Sequence, residues 1–299
     1  MLMNMKDLLE VANNNNFAIP AFNISDYSMF EGIMELCEET DSPVIIEIHP
    51  DELDFTGTDI MEAIKKRAYV SSVPVCIHLD HCGDFGKIVK AIQAGFTSVM
   101  FDGSSLAFEE NIAGAKKIVE VAHPVNVSVE AELGTIGSTD SQAEAGAEKI
   151  IYTDPDDAVR FVEATEIDTL AVAIGTSHGL YPAGMIPKLR HDILAEIKKR
   201  VNIPLVLHGG SNNPDEEIAE AVKLGINKIN ISSDIKVAYY NKMREVLSDP
   251  ELREPNLIQP ACIKSMKAVV KHKLELFETL GKAKLYTCLL YTSDAADDK

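Results

Sequence analysis

Eight short runs rich in β-branched and other apolar residues recur along this 299-residue chain, and stretches with helical spacing separate them. Alternation of this kind predicts parallel strands joined by crossover helices. The predicted strands are 17–24, 44–48, 73–79, 98–101, 125–131, 169–174, 204–207 and 228–231. Eight such units close into a (β/α)8 TIM barrel, an α/β fold of about 250 residues. We therefore predict one TIM-barrel domain over residues 1–286.

Three segments do not follow this alternation. Residues 134–149, rich in Gly, Ser, Thr, Ala and acids, lie between the fifth strand and its helix, and such a long βα loop predicts a lid. Residues 235–285 are predicted to be helical apart from an irregular, proline-bearing stretch over 249–260. Residues 287–299 resemble a read-through tail more than folded protein, so we predict that they are non-native or disordered.

Charge and composition exclude several classes of protein. The formal net charge of −19 opposes the phosphate backbone of DNA and RNA, so nucleic acids are not expected as partners. The five cysteines form no Cys-x-x-Cys pair, and their odd number does not favour a disulfide framework. No apolar run reaches the roughly 20 residues that a membrane helix needs. We expect a soluble, cytoplasmic protein that does not bind membranes.

Three histidines directly follow three of the apolar runs: His81, His178 and His208. In a barrel, the carboxyl ends of the parallel strands face one mouth, where barrel enzymes place their sites. Three imidazoles that converge there and leave a fourth coordination position open would hold a catalytic zinc. His78 lies three residues before His81, so side-chain alternation predicts that it points to the opposite face and serves in packing or in orienting a ligand.

Acidic residues flank the same strand ends. Asp80 precedes His81, Asp102 ends the fourth strand, and Glu130 and Glu132 lie on the fifth. Carboxylates beside metal ligands are candidates for general acid/base chemistry or for orienting those ligands. For Glu130 we favour an ion pair inside the barrel over a catalytic role.

Two motifs offer backbone N–H groups for a phosphate. His-Gly-Gly-Ser (208–211) follows the seventh strand, and Asn-Ile-Ser-Ser-Asp (230–234) ends the eighth directly before a helix. Many barrels hold phosphate in the loops after strands seven and eight, close to a helix N-terminus. Gly179, directly after His178, offers a further close backbone approach. A locally positive site of this kind is compatible with an acidic chain.

Seven motifs occur in an order that resembles one family. They are Ala-Phe-Asn-Ile (21–24), His-Leu-Asp-His (78–81), Asp-Gly-Ser (102–104), Val-Glu-Ala-Glu-Leu-Gly (129–134), Ala-Ile-Gly-Thr-Ser-His-Gly (173–179), Leu-His-Gly-Gly-Ser (207–211) and Lys-Ile-Asn-Ile (228–231). The set closely resembles the class II, zinc-dependent ketose-bisphosphate aldolases, and the resemblance spans roughly residues 5–285. It implies reversible aldol cleavage of a ketose (bis)phosphate to dihydroxyacetone phosphate and an aldehyde.

The resemblance also implies roles for single residues. Zinc would be held by His81, His178 and His208, and would act as a Lewis acid that stabilises the enediolate of the triose. Asp80 corresponds to the acid/base that moves the proton of the hydroxyl formed on the aldehyde carbon, and Asn230 contacts the triose near the enediolate. Asp102 and Glu132 match positions that hold zinc in an alternative site or orient the ligands.

Phosphate and substrate contacts follow from the same resemblance. A monovalent cation, Na⁺ or K⁺, is expected beside the phosphate. Family members form homodimers or homotetramers, which we expect here as well. The residues implied in substrate or phosphate binding are Asn23, Gly179, Gly209, Gly210, Ser211, Asn230, Ser232 and Ser233.

Three departures from the family pattern bear on function. The lid of many relatives carries a glutamate that removes the triose proton, whereas counting along this chain reaches Asp140, with Glu144 further on. Relatives usually continue the His-Gly-Gly-Ser motif with glycine, whereas Asn212 and Asn213 follow here. After the second strand, His49, Asp51 and Glu52 stand where relatives often have small residues, and these acids disfavour a nearby second phosphate.

Two alternatives stay open at this point. The altered lid is compatible with a non-catalytic paralogue that binds zinc and sugar phosphate without turnover. A metal-dependent isomerase or hydrolase on the same barrel would leave Asp80 and Asn230 unexplained. The sequence does not distinguish fructose-, tagatose-, sorbose- and deoxygluconate-type substrates.

Overall fold

Eight parallel strands close into a barrel. The computed structural model describes residues 1–139, 146–147 and 150–286. Its barrel strands are β1 (Ile19–Asn23), β2 (Val44–Ile48), β3 (Val75–Cys82), β4 (Ser98–Phe101), β5 (Ser128–Leu133), β7 (Thr169–Val172), β9 (Leu205–Leu207) and β10 (Ile226–Ile231). They pair in the order β1-β10-β9-β7-β5-β4-β3-β2, and β1 closes the ring on β2. The predicted (β/α)8 barrel is confirmed.

A small second sheet lies outside the barrel ring. It consists of β6 (Gly137–Ser138) and β8 (Ser177–His178), which run parallel with Ser138 opposite His178. These short strands follow β5 and β7, so they lie on the side of the mouth. The sequence did not predict them, because two residues are too few to show any periodicity.

Helices connect the strands, and several of them begin at a capping aspartate. Asp26, Asp84 and Asp154 each accept hydrogen bonds from backbone N–H groups of the following helix, which stabilises the helix start. The α-helices of the described residues are α1 (Met5–Asn14), α2 (Tyr27–Glu39), α3 (Pro50–Thr56), α4 (Ile60–Tyr69), α5 (Phe85–Ala94), α6 (Phe108–Ala122), α7 (Pro155–Thr165), α8 (His191–Arg200), α9 (Asp215–Lys223), α10 (Ser233–Val246) and α11 (Pro255–Leu276). Short 3₁₀ turns span His123–Val125 and Lys282–Tyr286.

Two predicted boundaries were wrong. Residues 125–127 belong to a 3₁₀ turn and its exit, and the fifth strand runs over Ser128–Leu133 instead of 125–131. The stretch 249–260 is not irregular throughout, because α11 begins at Pro255 and includes Pro260. A proline at the first helical position fits the helix, since that residue needs no N–H partner.

The N-terminal helix α1 covers the barrel end opposite the histidines. Its buried residues Met5 and Leu8 pack in one cluster with Ile19, Ile45 and Cys76 from the first three strands. A larger apolar layer lies between the strands and the surrounding helices. The end of the barrel that α1 covers is therefore apolar, and the site lies at the other end, where the strands have their carboxyl ends. Within the described ranges, no helix is both long and apolar enough to cross a membrane.

Candidate active site

Three histidines meet at the mouth of the barrel. His81 lies near the end of β3, His178 lies in β8, and His208 directly follows β9. The ring centroid of His81 is 4.8 Å from that of His178 and 4.4 Å from that of His208. Their side chains come from three different βα units. The structure thus brings together the three imidazoles that the sequence predicted as ligands.

The orientation of His81 depends on a break in strand alternation. The pairing register of β3 with β4 shifts between Leu79 and Cys82, and His81 has a φ of +41°. This left-handed residue turns its ring into the mouth, while His78 lies inside the barrel with its Nε2 3.8 Å from Glu130 Oε2. The prediction that His78 and His81 point to opposite faces was wrong, because regular alternation does not hold across a bulge.

Carboxylates surround the imidazole nitrogens. Asp102 Oδ2 lies 2.9 Å from His81 Nδ1, and Glu132 Oε2 lies 3.0 Å from His208 Nδ1. Ligand atoms of Asp80, His81 and His208 lie within 4.8 Å of one another, as do those of His81, Asp102 and Glu132. The buried His81 Nε2 forms no hydrogen bond with the described residues. Imidazole nitrogens and carboxylate oxygens are the usual zinc ligands, so this set fits the metal that the sequence implied.

Two asparagine amides hold the carboxylate of Asp80. Asn23 Nδ2 donates to Oδ2 at 2.8 Å, and Asn230 Nδ2 donates to Oδ1 at 3.0 Å. Burial by itself would raise the pKa of Asp80, but the charges of His81, Lys228 and His208 lower it below its ordinary value. Asn23 and Asn230 were predicted as substrate contacts, and the structure adds that both orient Asp80.

An ionic layer lies inside the barrel below the mouth. Lys228 Nζ is 2.7 Å from Glu47 Oε1 and 2.9 Å from Glu130 Oε1, and all three side chains are fully buried. The interior ion pair of Glu130 is confirmed. Burial, followed by the charge of Asp80, raises the pKa of Glu47 to about 8. Lys228 was missed by the sequence analysis, because a single lysine in a short strand carries no positional signal.

Glu130 connects this interior layer to the mouth. One of its oxygens, Oε1, accepts a hydrogen bond from His208 Nε2 at 2.8 Å as well as one from Lys228. His78 bonds through Nδ1 to Ser98 Oγ at 2.8 Å. Burial and the charge of Lys228 lower the pKa of His78 to about 3, which keeps its ring neutral. The interior residues therefore fix the position of His208 from below.

The predicted phosphate loops lie side by side after β9 and β10. A Cβ atom on Gly209 would lie 2.6 Å from Ser177 O, and one on Gly210 would lie 2.4 Å from Ile229 Cγ2, so both positions require glycine. The N–H of Gly210 donates to Asn230 O at 3.1 Å, which joins the two loops. Ser211 Oγ accepts from the N–H of Asp234 at 3.3 Å.

Residues at the start of α10 complete this loop pair. Ser232 is the N-cap residue of α10 and Ser233 is its first helical residue. The N-terminus of a helix attracts anions, because its backbone N–H groups and its dipole point outward. Asn213, which departs from the family pattern, donates from Nδ2 to Gly209 O at 2.7 Å and to Ser211 O at 3.0 Å. Its side chain therefore stabilises the glycine loop from inside.

The base of the predicted lid is tied to His178. Thr139 donates to His178 O through both its N–H, at 2.9 Å, and its Oγ1, at 2.7 Å. Gly179 follows with a φ of +93°, a conformation that favours glycine. Asp140, predicted as the lid base, and Glu144 lie outside the described residues.

The far rim of the mouth carries less net negative charge than the sequence suggested. Glu52 Oε1 lies 2.8 Å from Lys236 Nζ and also accepts a hydrogen bond from Ser25 Oγ. His49 is the N-cap residue of α3 and accepts from the N–H of Asp51 through Nδ1. Lys236 therefore offsets the charge of Glu52, and of the two acids predicted to disfavour a second phosphate, Asp51 is the one that pairs with no lysine or arginine of the described residues.

A cavity of about 280 Å³ opens beside the histidines. Residues that line it come from the ends of several strands: His81, Asp102, Ser104, Glu132, Thr135 and His178. It has room for a small, polar ligand. Four of the five predicted metal ligands, His81, His178, Asp102 and Glu132, thus border this space.

Comparison with a model of one protein family gives a match over nearly the whole chain. Residues 3–282 match the family described as fructose-bisphosphate aldolase class-II. The D-tagatose-1,6-bisphosphate aldolase subunit GatY of Klebsiella oxytoca is 38% identical over 272 residues, which cover 90% of this chain and 95% of that protein.

Two solved structures of aldolases are also similar to this chain. The YdjI aldolase from Escherichia coli K12 superposes with a TM-score of 0.83 at 34% sequence identity, covering 95% of this chain and 100% of that one. Fructose-bisphosphate aldolase from Campylobacter jejuni gives a TM-score of 0.76 at 23% identity, covering 94% and 97% of the two chains. The second likeness supports the fold alone.

Proposed function

This chain belongs to the class II fructose-bisphosphate aldolase family and is a carbon–carbon lyase, and we propose that its mouth cleaves a ketose phosphate to dihydroxyacetone phosphate and an aldehyde. The observation that carries the assignment is the convergence of His81, His178 and His208 next to the buried carboxylate of Asp80. A non-catalytic paralogue is not favoured, because the family and its tagatose-bisphosphate relative are aldolases.

In this proposal zinc is held by His81, His178 and His208. The buried His81 Nε2, which forms no hydrogen bond with the described residues, supports the choice of that nitrogen as a ligand. Bound there, zinc supplies a Lewis acid for the carbonyl and hydroxyl oxygens of the triose. Asp102 orients His81 through Nδ1 at 2.9 Å, and Glu130 orients His208 through Nε2 at 2.8 Å, so His81 Nε2 and His208 Nδ1 are the nitrogens assigned to the metal. Glu132 Oε2, 3.0 Å from His208 Nδ1, lies beside that position.

Asp80 serves as the acid/base at the bond that breaks. Its carboxylate takes the proton from the substrate hydroxyl as that oxygen becomes the aldehyde, and it returns the proton during condensation. The amides of Asn23 and Asn230 fix both carboxylate oxygens, so that the proton moves along one defined direction. Asn230 also contacts the triose in this assignment. Asp140 remains the proposed base on the lid.

The triose phosphate binds to the loops after β8, β9 and β10. The residues assigned to it are Gly179, Gly209, Gly210, Ser211, Ser232 and Ser233. The start of α10 and the crowded glycine loop support this placement, since a helix N-terminus attracts anions and the glycine loop is joined to it through Ser211 and Asp234. Resemblance alone supports a Na⁺ or K⁺ ion beside the phosphate.

The proposed substrate class is the ketose bisphosphates, as in the tagatose-bisphosphate relative. The ion pair of Glu52 with Lys236 supports it, because the rim then presents less negative charge to a second phosphate. We also propose a homodimer or homotetramer, and a cytoplasmic location that the four buried, free thiols of the described residues support.

A panel of phosphorylated ketoses tests the function. The zinc-loaded protein should cleave at least one of the fructose and tagatose bisphosphates or the matching 1-phosphates, and chelation should abolish the cleavage. Exchange of the triose proton into heavy water, measured with dihydroxyacetone phosphate alone, should also require zinc. A chain that binds zinc but shows neither cleavage nor exchange would contradict the proposal and favour the non-catalytic paralogue.

A further inference from the structure

Asn212 joins two loops at the mouth. Its φ is +55°, a left-handed conformation that asparagine tolerates better than most residues, and it stands where relatives of the family usually have glycine. Its Oδ1 accepts a hydrogen bond from the N–H of Tyr181 at 2.8 Å. Asparagine therefore keeps the backbone shape of a glycine and adds a contact from the loop after β9 to the loop after β8.

A third loop is attached through the backbone of the same residue. The N–H of Asn212 lies 3.1 and 3.2 Å from the two carboxylate oxygens of Asp234, in the first turn of α10. Tyr181 in turn accepts a hydrogen bond from the N–H of Ser177 through its hydroxyl, at 2.8 Å. One continuous chain of contacts thus runs across all three loops that the proposed function assigns to the triose phosphate.

A buried lysine stands behind this chain of contacts. Lys273, on α11, places Nζ 2.8 Å from Asp234 Oδ2, and its side chain is only 6% exposed, against 17% for Asp234. Asp234 directly follows Ser233 and bonds to Ser211, both assigned to the phosphate. Without Lys273, the carboxylate would be an uncompensated negative charge beside a bound anion, which it would repel.

We propose that Asn212, Asp234 and Lys273 are positioning residues that hold the three anion-binding loops together and neutralise the carboxylate next to the phosphate. The proposal rests on the phosphate site of the proposed function. It concerns the binding of the anion and not the chemistry, so its signature is a higher KM with a nearly unchanged kcat.

The test uses four single variants of the full-length, zinc-loaded protein, and the double variant Asn212→Gly with Lys273→Met. Asn212→Gly removes the side-chain contact and keeps the left-handed backbone accessible. Lys273→Met removes the charge at similar volume, and Lys273→Arg keeps it. Lys271→Met is the matched control, because Lys271 lies on the same helix, is well exposed and only approaches Glu275 at 3.9 Å.

The expected result is a rise in KM for the ketose phosphate. Lys273→Met should raise KM roughly tenfold or more, since breaking a buried charge pair is costly, and Asn212→Gly should raise it about threefold. kcat should stay within about twofold and zinc content should not change. Lys273→Arg should recover most of the affinity, and Lys271→Met should match the wild type. In the double variant, KM should rise less than the product of the two single effects, because the contacts of Asn212 with Tyr181 and of Lys273 with Asp234 hold the same loop after β9 in place.

Calorimetric binding of inorganic phosphate, to zinc-loaded and to chelator-treated protein, separates this proposal from the proposed function. If Lys273→Met and Asn212→Gly weaken phosphate binding while no ketose phosphate is cleaved, the positioning role of these residues is supported and the aldolase assignment fails. Unchanged KM and unchanged phosphate affinity in both variants would overturn the positioning role, whatever the activity. A Lys273→Met chain that does not fold leaves Asn212→Gly as the deciding variant.

Discussion

The mouth of the barrel and the ionic layer just below it both contain acidic residues and histidines, yet the two regions differ in the cations that balance the acids. In the interior, Lys228 lies between Glu47 and Glu130 and supplies a cation from the chain itself. At the mouth, no lysine or arginine of the described ranges forms an ion pair with Asp80, Asp102 or Glu132. The positive charge beside these acids therefore comes from protonated imidazoles, and a metal ion from solution can replace their protons.

This comparison decides between two groups of potential ligands. Ligand atoms of Glu47, His78 and Asp80 also lie within 4.8 Å of one another. The interior group does not need a metal, because the ammonium of Lys228 lies 2.7 Å from Glu47 Oε1 and 2.9 Å from Glu130 Oε1, and burial raises the pKa of Glu47 to about 8. We therefore expect one zinc per chain, at the mouth.

His208→Ala should break the mouth and gives the largest expected effect. It removes one proposed ligand, so zinc content should fall well below one per chain and kcat/KM should drop roughly 1,000-fold or more. Zinc is measured by atomic absorption after dialysis, and cleavage by coupled assay. His191→Ala is the control, because His191 bonds to the backbone oxygen of Glu217. Full zinc occupancy in His208→Ala would contradict the assignment.

Lys228→Met should break the interior layer instead. It leaves the buried carboxylate of Glu130 without its cation, and loss of one partner from a buried pair costs about 3–5 kcal/mol of unfolding free energy. Urea unfolding of chelator-treated protein measures this loss. Lys236→Met is the matched control: its partner Glu52 is partly exposed, so the expected loss is only about 0–1 kcal/mol. Equal losses in the two variants would show that burial does not separate these ion pairs.

Asn23→Ala tests the orientation of Asp80 at the boundary between the two regions. The variant removes one of two amides that bond to the Asp80 carboxylate, so kcat should fall about 10- to 100-fold while zinc content stays at one per chain. Asn227→Ala is a suitable control, because that amide contacts Phe17 O and Lys198, away from the mouth. A loss of zinc in Asn23→Ala would place this residue in metal binding instead.

The sequence predicts the barrel well because each strand is a separate apolar run. Seven of the eight predicted strands overlap the observed ones closely, and the fifth is shifted by a few residues because the apolar signal begins in the preceding turn, at Val125. The positions of His178 and His208 at the mouth could be predicted in the same way, because each histidine follows the carboxyl end of an apolar strand. The N-terminal helix α1 was missed, because it belongs to no βα repeat.

The details of the site depend on contacts that no spacing reveals. His81 faces the mouth because its backbone is left-handed. Regular alternation from His78 placed the His81 side chain on the opposite face, which was wrong because the register shifts between the two residues. Lys228 and Lys273 are remote in sequence from the acids that they neutralise, so only the closed barrel brings them together. Long-range ion pairs of this kind are a property of the tertiary structure.

Lys198 gives the smallest expected effect and sharpens the comparison with Lys228. It is a partly buried lysine that donates to the amide oxygens of Asn13 and Asn227 and forms no ion pair with a carboxylate of the described residues, and burial lowers its pKa to about 8. The unfolded chain keeps this proton up to about pH 10.4. Between these values the unfolded state binds more protons, so the unfolding free energy of the wild type should rise with pH relative to Lys198→Met.

Urea unfolding at pH 7, 8.5 and 10 measures that difference. Below pH 8 both states hold the proton, so the gap between wild type and Lys198→Met should be constant, and it should shift in favour of the wild type only above pH 8. The shift should be small, because the ammonium retains contact with solvent. Lys199→Met, which removes a well-exposed lysine, should show no such trend. A gap that stays flat to pH 10 would mean that Lys198 keeps its proton without a carboxylate, and that charge compensation is not what distinguishes Lys228.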